Sequence, residues 1–108
     1  MKILTIFEQI ILTSIYILKN EAFGISIRKK AKQISGKKIM YGALYNVLDQ
    51  LYKKGYVIKT KYIPSPEEGG HARIYYSLTP EGEQALREAY TLQKTIWDYI
   101  PGLTKDIK

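Results

Sequence analysis

The sequence predicts a mainly α-helical fold with one small antiparallel β-hairpin, in the order α-α-α-β-β-α. Hydrophobic residues recur at helical spacing in three segments before residue 55, the hydrophobic period then changes to two, and a long amphipathic segment follows residue 79. A glycine lies in the short connection between the second and third helical segments, as in a helix-turn-helix. A basic hairpin directly after such a motif is typical of a wing. We therefore expect a winged helix-turn-helix with a long C-terminal helix for dimerisation.

The composition is that of one globular domain. The chain has 108 residues, of which 45% are hydrophobic and 25% are charged, and it contains no cysteine. The lack of cysteine excludes disulfides and thiolate metal sites and fits a reducing compartment. The apolar stretch over residues 3–18 contains Glu8, falls short of the roughly 20 residues that span a bilayer, and is not followed by a small-residue cleavage site. We interpret it as a core helix and expect a soluble, cytoplasmic protein.

The positive charge of the chain is concentrated in one segment. Residues 28–61 contain ten basic residues and one acidic residue, a net charge of +9, whereas the rest of the chain has seven basic and nine acidic residues, a net charge of −2. A contiguous basic segment of this kind is expected where the partner is a polyanion such as a nucleic acid. It is also compatible with a lysine-rich face that does no more than contact water.

The three N-terminal helices follow from apolar residues at helical spacing. The first, from about residue 3 to 18, is apolar on nearly all sides, so we expect it to be buried on two of them, the second by a partner subunit. The second, from Gly24 to about residue 34, ends at Ser35-Gly36, and the third, from about residue 40 to 54, ends at Gly55. The residues expected to face inward on the second helix are Ile27, Ala31 and Ile34. Those on the third are Leu44, Val47, Leu48 and Leu51.

The hairpin and the last helix are delimited by turn and cap residues. Two strands are predicted at about residues 56–63 and 72–78, joined by a flexible loop over residues 64–70 that is rich in proline and glycine. Thr79 is the expected N-cap of the last helix, with Pro80 in its first position, and Pro101 stops it after about residue 100. At about 1.5 Å per residue, this helix is roughly 30 Å long.

The last helix carries two neighbouring apolar stripes, which need two surfaces to cover them. The first helix can cover one stripe and a symmetric partner the other, so we expect a homodimer. The alternative is a monomer with a single broad core face. The expected domains are a winged helix-turn-helix DNA-binding domain over residues 1–79 and a dimerisation helix and tail over residues 80–108. The residues assigned to the dimer interface are Leu4, Phe7, Ile11, Ala89, Leu92, Ile96, Trp97 and Ile100.

Four stretches are similar to the PadR family of winged helix-turn-helix transcriptional regulators, in its short form with a single C-terminal helix. They are Phe23-Gly24 at the opening of the second helix, Gly42-Ala43-Leu44-Tyr45 in the third, Lys54-Gly55-Tyr56-Val57 after it, and Arg73-Ile74-Tyr75-Tyr76-Ser77-Leu78-Thr79-Pro80-Glu81-Gly82. The resemblance covers roughly residues 4–100. Ala43 departs from the family where a threonine is common, which removes one expected hydroxyl contact, and Tyr52 departs where an acid is common. The resemblance implies a regulator of transcription, usually a repressor.

The expected DNA contacts lie around the start of the third helix, which enters the major groove in such motifs. Asn46 can pair with adenine and Ala43 can touch a thymine methyl. Lysines before and beside this helix would meet phosphates, and the wing would follow the backbone or the minor groove. Tyr45 is compatible with packing as well as contact, and Arg73 with bracing the hairpin. The full predicted set is Arg28, Lys29, Lys32, Lys37, Lys38, Tyr41, Gly42, Ala43, Tyr45, Asn46, Lys61, His71 and Arg73.

A small aromatic effector is a further hypothesis, because some proteins similar to this chain hold flat aromatic ligands between subunits. Phe7, Ile11 and Trp97 would form that pocket, whereas the competing interpretation of Trp97 is interface core. We expect no enzymatic activity, cofactor or metal, since the sequence lacks P-loop spacing, a metal-ligand cluster and paired carboxylates, and His71 is the only histidine. The alternative function is a winged-helix module that binds a protein partner or RNA without recognising a DNA sequence.

Overall fold

The computed structural model describes residues 3–107 and contains the predicted elements in the predicted order. They are α1 (Ile6–Leu18), α2 (Gly24–Ser35), α3 (Tyr41–Lys53), β1 (Val57–Tyr62), β2 (Arg73–Leu78) and α4 (Pro80–Asp98), with short 3-10 turns at Lys19–Glu21 and Pro101–Leu103. The mainly helical, winged helix-turn-helix fold expected from the sequence is confirmed. Residues 1, 2 and 108, at the ends of the two expected domains, lie outside the described residues.

Helix α1 begins three residues later than its apolar pattern indicated, because Thr5 caps it. The Thr5 hydroxyl accepts a hydrogen bond from the Glu8 amide at 3.0 Å, and the Glu8 carboxylate accepts one from the Thr5 amide at 2.8 Å. Within the single chain, α1 is buried on one side only: Ile11 is 0% exposed, whereas Ile6 is 60% exposed and Tyr16 is 59% exposed. The second side, which we expected a partner to cover, is open.

The core lies where α1 crosses α2 and α3 and meets the base of the hairpin. Its members on the three helices include Ile11, Leu12, Ile15, Ile27, Ala31, Leu44, Val47, Leu48 and Leu51. The inward stripe predicted for α3 is therefore confirmed. The prediction for Ile34 is wrong, because the last turn of α2 extends past the core and leaves this side chain 43% exposed.

The two strands of the hairpin pair with each other, and β2 also pairs with the segment at the start of the helix-turn-helix. Strands β1 and β2 are antiparallel, with Val57 opposite Leu78 and Tyr62 opposite Arg73. On the other edge of β2, Phe23 pairs with Tyr75, and the Tyr76 amide donates to the carbonyl of Ala22 at 2.8 Å. The segment just before α2 is thus joined to β2 by an isolated bridge, which fixes the wing relative to α2.

Helix α4 follows β2 without a linker. The predicted cap is confirmed: the Thr79 hydroxyl accepts from the Gly82 amide at 3.0 Å and donates to the carbonyl of Gly55 at 2.6 Å. The first half of α4 packs on the core through Ala85 and Ala89, whereas Trp97 in the second half is 43% exposed. Because α4 runs beyond the core, the chain measures 60 × 28 × 22 Å.

Candidate nucleic-acid interface

The start of α3 is open to solvent and has free backbone donors. Gly36 ends α2 in the left-handed conformation, at φ = 71°, and residues 36–40 lead directly into α3. Met40 precedes the helix and supplies no side-chain cap, so the amides of the first turn are free for an anion. Met40 is 64% exposed and Tyr41 is 42% exposed, and Gly42, Ala43 and Asn46 are also exposed. A helix terminus of this kind can receive a phosphate while its side chains reach a groove.

Exposed lysines surround this helix start. Within residues 3–107, Lys37 and Lys38 in the turn and Lys29 and Lys32 on α2 are exposed and form no salt bridge. At the other end of α3, by contrast, two lysines are paired with acids. Lys53 lies 3.0 Å from Asp49, and Lys54 lies 2.6 Å from Glu8. Among the described residues, the lysines of the turn that leads into α3 and the exposed lysines of α2 are therefore unpaired, whereas those at the C-terminal end of α3 are paired.

Arg28 occupies a position that sequence reasoning did not foresee. We predicted a phosphate contact on the outer face of α2, but the side chain is only partly exposed and its Nε donates to the carbonyl of Ile39. Its guanidinium carbon lies 4.3 Å from the centre of the Tyr41 ring, a cation–π contact. Arg28 thereby joins α2 to the residues that open α3. Nothing in the sequence pattern indicated this contact.

The two tyrosines of α3 form a stack against α2. The rings of Tyr41 and Tyr45 are 6.2 Å apart and inclined by 19°. The Tyr45 hydroxyl lies so close to Gly24 that a Cβ there would be 2.1 Å from it. Packing of Tyr45, one of its two predicted roles, is therefore present, and the side chain is still 49% exposed.

In the wing, the basic residues are exposed and one of them braces the fold. Lys61 and His71 are exposed, and Lys59 lies over the Tyr52 ring at 4.4 Å. The Arg73 guanidinium is 4.5 Å from the centre of the Phe23 ring, so the bracing role considered for it is present. DNA contact by Lys61, His71 and Arg73 stays a prediction.

The loop of the wing is held by a hydrogen-bonded acid. Tyr62 donates to one carboxylate oxygen of Glu68, and the other accepts from the Ser65 amide at 2.9 Å. The bond to Tyr62 and the bond to the Ser65 amide lower the pKa of Glu68, and the same tyrosine bond raises the pKa of Tyr62. We predicted only a flexible polar loop. The serine three residues before Glu68 is the sequence signal that could have indicated this turn.

The residues predicted for an effector pocket do not meet within one chain. Ile11 is 0% exposed and cannot line a cavity in this conformation, because it lies in the chain's own core. Phe7 borders an apolar groove of about 480 Å³ beside Lys37, Met40 and Ala43. Trp97 lies on the second half of α4, past the last residue of that helix that packs on the core. A pocket of Phe7 and Trp97 would need a second copy of the chain.

The predicted dimer-interface residues fall into three groups. Leu4 and Ile11 lie in the core, 5% and 0% exposed, so they are not available to a partner as the sequence analysis expected. Phe7, Ala89 and Leu92 are partly buried. Ile96, Trp97 and Ile100 are exposed, as a contact with a second copy requires. Over residues 3–107, no cluster of three or more metal-ligating side chains is present, and no helix has the length and apolar character needed to span a membrane.

This geometry defines the class of the protein: a winged helix-turn-helix protein whose third helix begins at an exposed, basic surface. The sequence profile of the PadR-like family of transcriptional regulators matches residues 12–88. The chain belongs to the PadR-like family of transcriptional regulators, as its sequence motifs indicated. Comparison with curated protein sequences gives no match.

Solved structures with the same fold span most of the chain. A PadR-like transcription factor from Bacteroides fragilis has a TM-score of 0.73 at 24% identity, over 89% of this chain and 87% of that one. A PadR family transcription regulator from Clostridium difficile has a TM-score of 0.64 at 21% identity, over 93% and 95%. The protein hsRosR, in a complex named hsRosR-S1, has a TM-score of 0.61 at 32% identity, over 84% and 75%. The first two likenesses establish the fold alone.

Proposed function

We propose that this chain is a sequence-specific, double-stranded DNA-binding regulator of transcription that acts as a homodimer. The observation that carries the proposal is the open N-terminus of α3, which offers free amides and exposed Asn46 directly after a turn whose Lys37 and Lys38 form no salt bridge within residues 3–107. A helix with those properties enters a major groove and meets phosphates on both sides of it. Regulation by binding DNA would place the protein in the cytoplasm, in contact with its operator.

The proposal of a homodimer rests on the uncovered apolar surface of the single chain. Exposed hydrophobic side chains occur on the open side of α1 and just before it, and along the second half of α4 and the residues that follow it; they include Ile3, Ile6, Tyr16, Ile17, Tyr90, Ile96, Trp97, Tyr99, Ile100 and Leu103. Apolar surface of this extent is unusual on a monomer and favours a self-complementary contact between two copies. We propose residues 80–108 as the dimerisation segment and residues 1–79 as the DNA-binding domain.

Two symmetric copies would present two α3 helices to one face of a duplex. The operator we propose is accordingly a near-palindrome with half-sites about one helical turn apart. The test is selection of random duplex DNA by the full chain, followed by sequencing of the bound pool. A near-palindromic motif supports the proposal. A pool without any enriched sequence would reject it and favour the winged-helix module that binds a protein or RNA.

We also propose that the chain represses transcription and that a small aromatic molecule releases it from DNA. A dimer seated on its operator blocks access to the DNA beneath it, which favours repression as the simplest outcome. An effector site would have to lie between copies, near Trp97. Titrating flat aromatic compounds against tryptophan fluorescence tests this site, because Trp97 is the only tryptophan of the chain. Absence of quenching across a broad panel would remove the effector from the proposal.

A further inference from the structure

The exposed face of α3 carries amide, methyl and carboxylate groups, and no cationic side chain until its last turn. At about 100° per residue, the positions opposite the buried stripe are Gly42, Asn46 and Asp49. Ala43 and Gln50 flank them and border the same groove as Asn46, beside α1. The sequence between residues 41 and 52 contains neither lysine nor arginine, and the first lysine after it is already paired with Asp49.

Arg28 of α2 could supply the cationic side chain that the outer face of α3 lacks, but it makes other contacts. Arg28 donates through Nε to the carbonyl of Ile39, and its guanidinium carbon lies over the Tyr41 ring, 4.3 Å from its centre. To reach a base edge it would have to give up both contacts. Tyr41 is in turn stacked on Tyr45, whose hydroxyl lies against Gly24. The Arg28 guanidinium and the two tyrosine rings therefore contact one another and α2, which positions the start of α3.

Because the carboxylate of Asp49 is paired with Lys53, the amide and methyl groups that remain match one type of base pair, A·T. Guanine offers two acceptors in the major groove, N7 and O6, which arginine or lysine satisfies best. Adenine offers an acceptor and a donor, which the amide of Asn46 or Gln50 matches with two hydrogen bonds. The methyl group of thymine needs only an apolar contact, and Ala43 supplies a methyl group of its own.

We infer that α3 reads A·T base pairs, with Asn46 as the residue that pairs with adenine, and that Arg28 is a positioning residue. The inference rests on the proposed function, because it assumes that α3 enters a major groove. It goes beyond that function by naming the base pairs of the half-site and by removing Arg28 from the phosphate contacts expected for it.

The first experiment uses the duplex that the full chain selects from a random pool. Within the half-site, adenines are replaced by 7-deaza-adenine and, in separate duplexes, guanines by 7-deaza-guanine, which removes only the N7 acceptor. We expect one 7-deaza-adenine to weaken binding about tenfold, in the range of one two-pronged contact, and 7-deaza-guanine to change it less than twofold. With Asn46→Ala the 7-deaza-adenine penalty should vanish, whereas with Lys32→Ala, an exposed residue of α2, it should persist.

Base reading by Asn46 and DNA binding by the chain can fail separately in this experiment. A larger penalty for 7-deaza-guanine than for 7-deaza-adenine, or a penalty that survives in Asn46→Ala, would overturn the inference and leave the DNA-binding function intact. A pool without an enriched sequence rejects the function itself. In that case the base-reading role of α3 is rejected with it.

The second experiment separates positioning by Arg28 from phosphate contact. Arg28→Lys keeps the positive charge but loses the flat stacking surface and the Nε donor. We expect the ratio of specific to non-specific affinity to fall at least fivefold, with the slope of log affinity against log salt unchanged. If Arg28 contacts phosphate, Arg28→Lys should keep the ratio, and Arg28→Ala should reduce the slope by about one. Thermal unfolding of both variants checks that the chain is folded.

Discussion

Glu8 is a buried carboxylate, 4% exposed, on the side of α1 that also buries Ile11, Leu12 and Ile15. Burial alone would raise its pKa, but the hydrogen bond from Lys54 and the bond from the Thr5 amide outweigh burial and lower it. The carboxylate caps α1 and at the same time joins α1 to the end of α3. One side chain thus connects the helix expected at the subunit interface with the helix expected in the groove.

We expect Glu8→Gln to reduce the free energy of unfolding by about 1–3 kcal/mol at neutral pH, because it leaves a half-buried ammonium group without its partner. Since the pKa of Glu8 is lowered in the folded chain, its stabilisation is present above the ordinary value of 4.5 and is lost as the pH falls through the lowered value. Urea unfolding at neutral pH and in steps into the acid range measures this. Glu67→Gln, in the exposed loop, is the control, and an equal loss in both variants would contradict the prediction.

Lys37 and Lys53 offer a matched pair of exposed lysines at opposite ends of α3. Lys37 forms no salt bridge within residues 3–107, whereas Lys53 is paired with Asp49. Lys37→Ala should weaken binding to every duplex and flatten the slope of log affinity against log salt by about one, since one phosphate contact is lost. Lys53→Ala should leave the slope unchanged. Equal slopes for both variants would show that the turn does not contact phosphate.

The start of α4 lies close to the backbone that precedes β1. A Cβ on Gly82 would lie 2.1 Å from the carbonyl oxygen of Tyr56, which cannot move without disturbing the hairpin. Gly82→Ala should therefore lower the free energy of unfolding by about 1–3 kcal/mol. Gly42 is the control: it also lies in the first turn of a helix, but nothing is within 4 Å of its Cβ position. Gly42→Ala should be neutral or stabilising by up to about 1 kcal/mol in the same denaturant titration.

The end of α1 is strained at one residue. Lys19 has φ = 53° and ψ = −118°, a conformation that glycine adopts without steric cost and other residues do not. We expect Lys19→Gly to raise the free energy of unfolding by about 1 kcal/mol, the relief of strain exceeding the added entropy of the unfolded chain. Lys19→Ala keeps the strain and serves as the control. A melting temperature that rises equally in both variants would assign the effect to the loss of charge.

The elements that the sequence predicted well are those set by local signals. Gly36 ends α2, Thr79 caps α4, and the change of hydrophobic period marks β1, because each depends on residues within a few positions of one another. The contacts that sequence reasoning missed join distant residues. Glu8 and Lys54 are 46 positions apart, and Arg28 binds a carbonyl 11 positions away. Pairs of this kind depend on how the helices pack, which periodicity does not encode.

At the scale of the whole molecule, the interface predictions failed in part for the same reason, because periodicity does not encode how the helices pack. An apolar stripe indicates that a surface is covered but does not say by what, so Ile11 was assigned to a partner although the chain's own core covers it. On α4 the stripe continues past the last residue that packs on the core. The exposure of Ile96 and Trp97 in the single chain, 45% and 43%, is the feature that makes a second copy the favoured cover.

We expect Ile96→Glu to raise the dissociation constant of the dimer at least tenfold, because it would place a charge in the apolar contact. Folding of the single chain should be unaffected, since Ile96 is exposed in it. Analytical ultracentrifugation of the wild type and of Thr95→Glu, an exposed neighbour, provides the comparison. Affinity for a full operator should fall together with dimerisation, because two linked half-sites bind more tightly than one. A wild-type chain that stays monomeric at high concentration would refute the homodimer.

The short connection between β2 and α4 couples the orientation of α4 to that of the helix-turn-helix. Thr79 is the only residue between them, and its backbone amide and hydroxyl are both bonded to residues that follow α3, so a tilt of α4 is transmitted to α3. Over the roughly 30 Å length of α4, a tilt of about 10° displaces α3 by about 5 Å relative to the far end of α4. That is more than the step of about 3.4 Å between base pairs. In the proposed homodimer, a rotation of about 10° between the two copies of α4 would therefore put both α3 helices out of register with DNA.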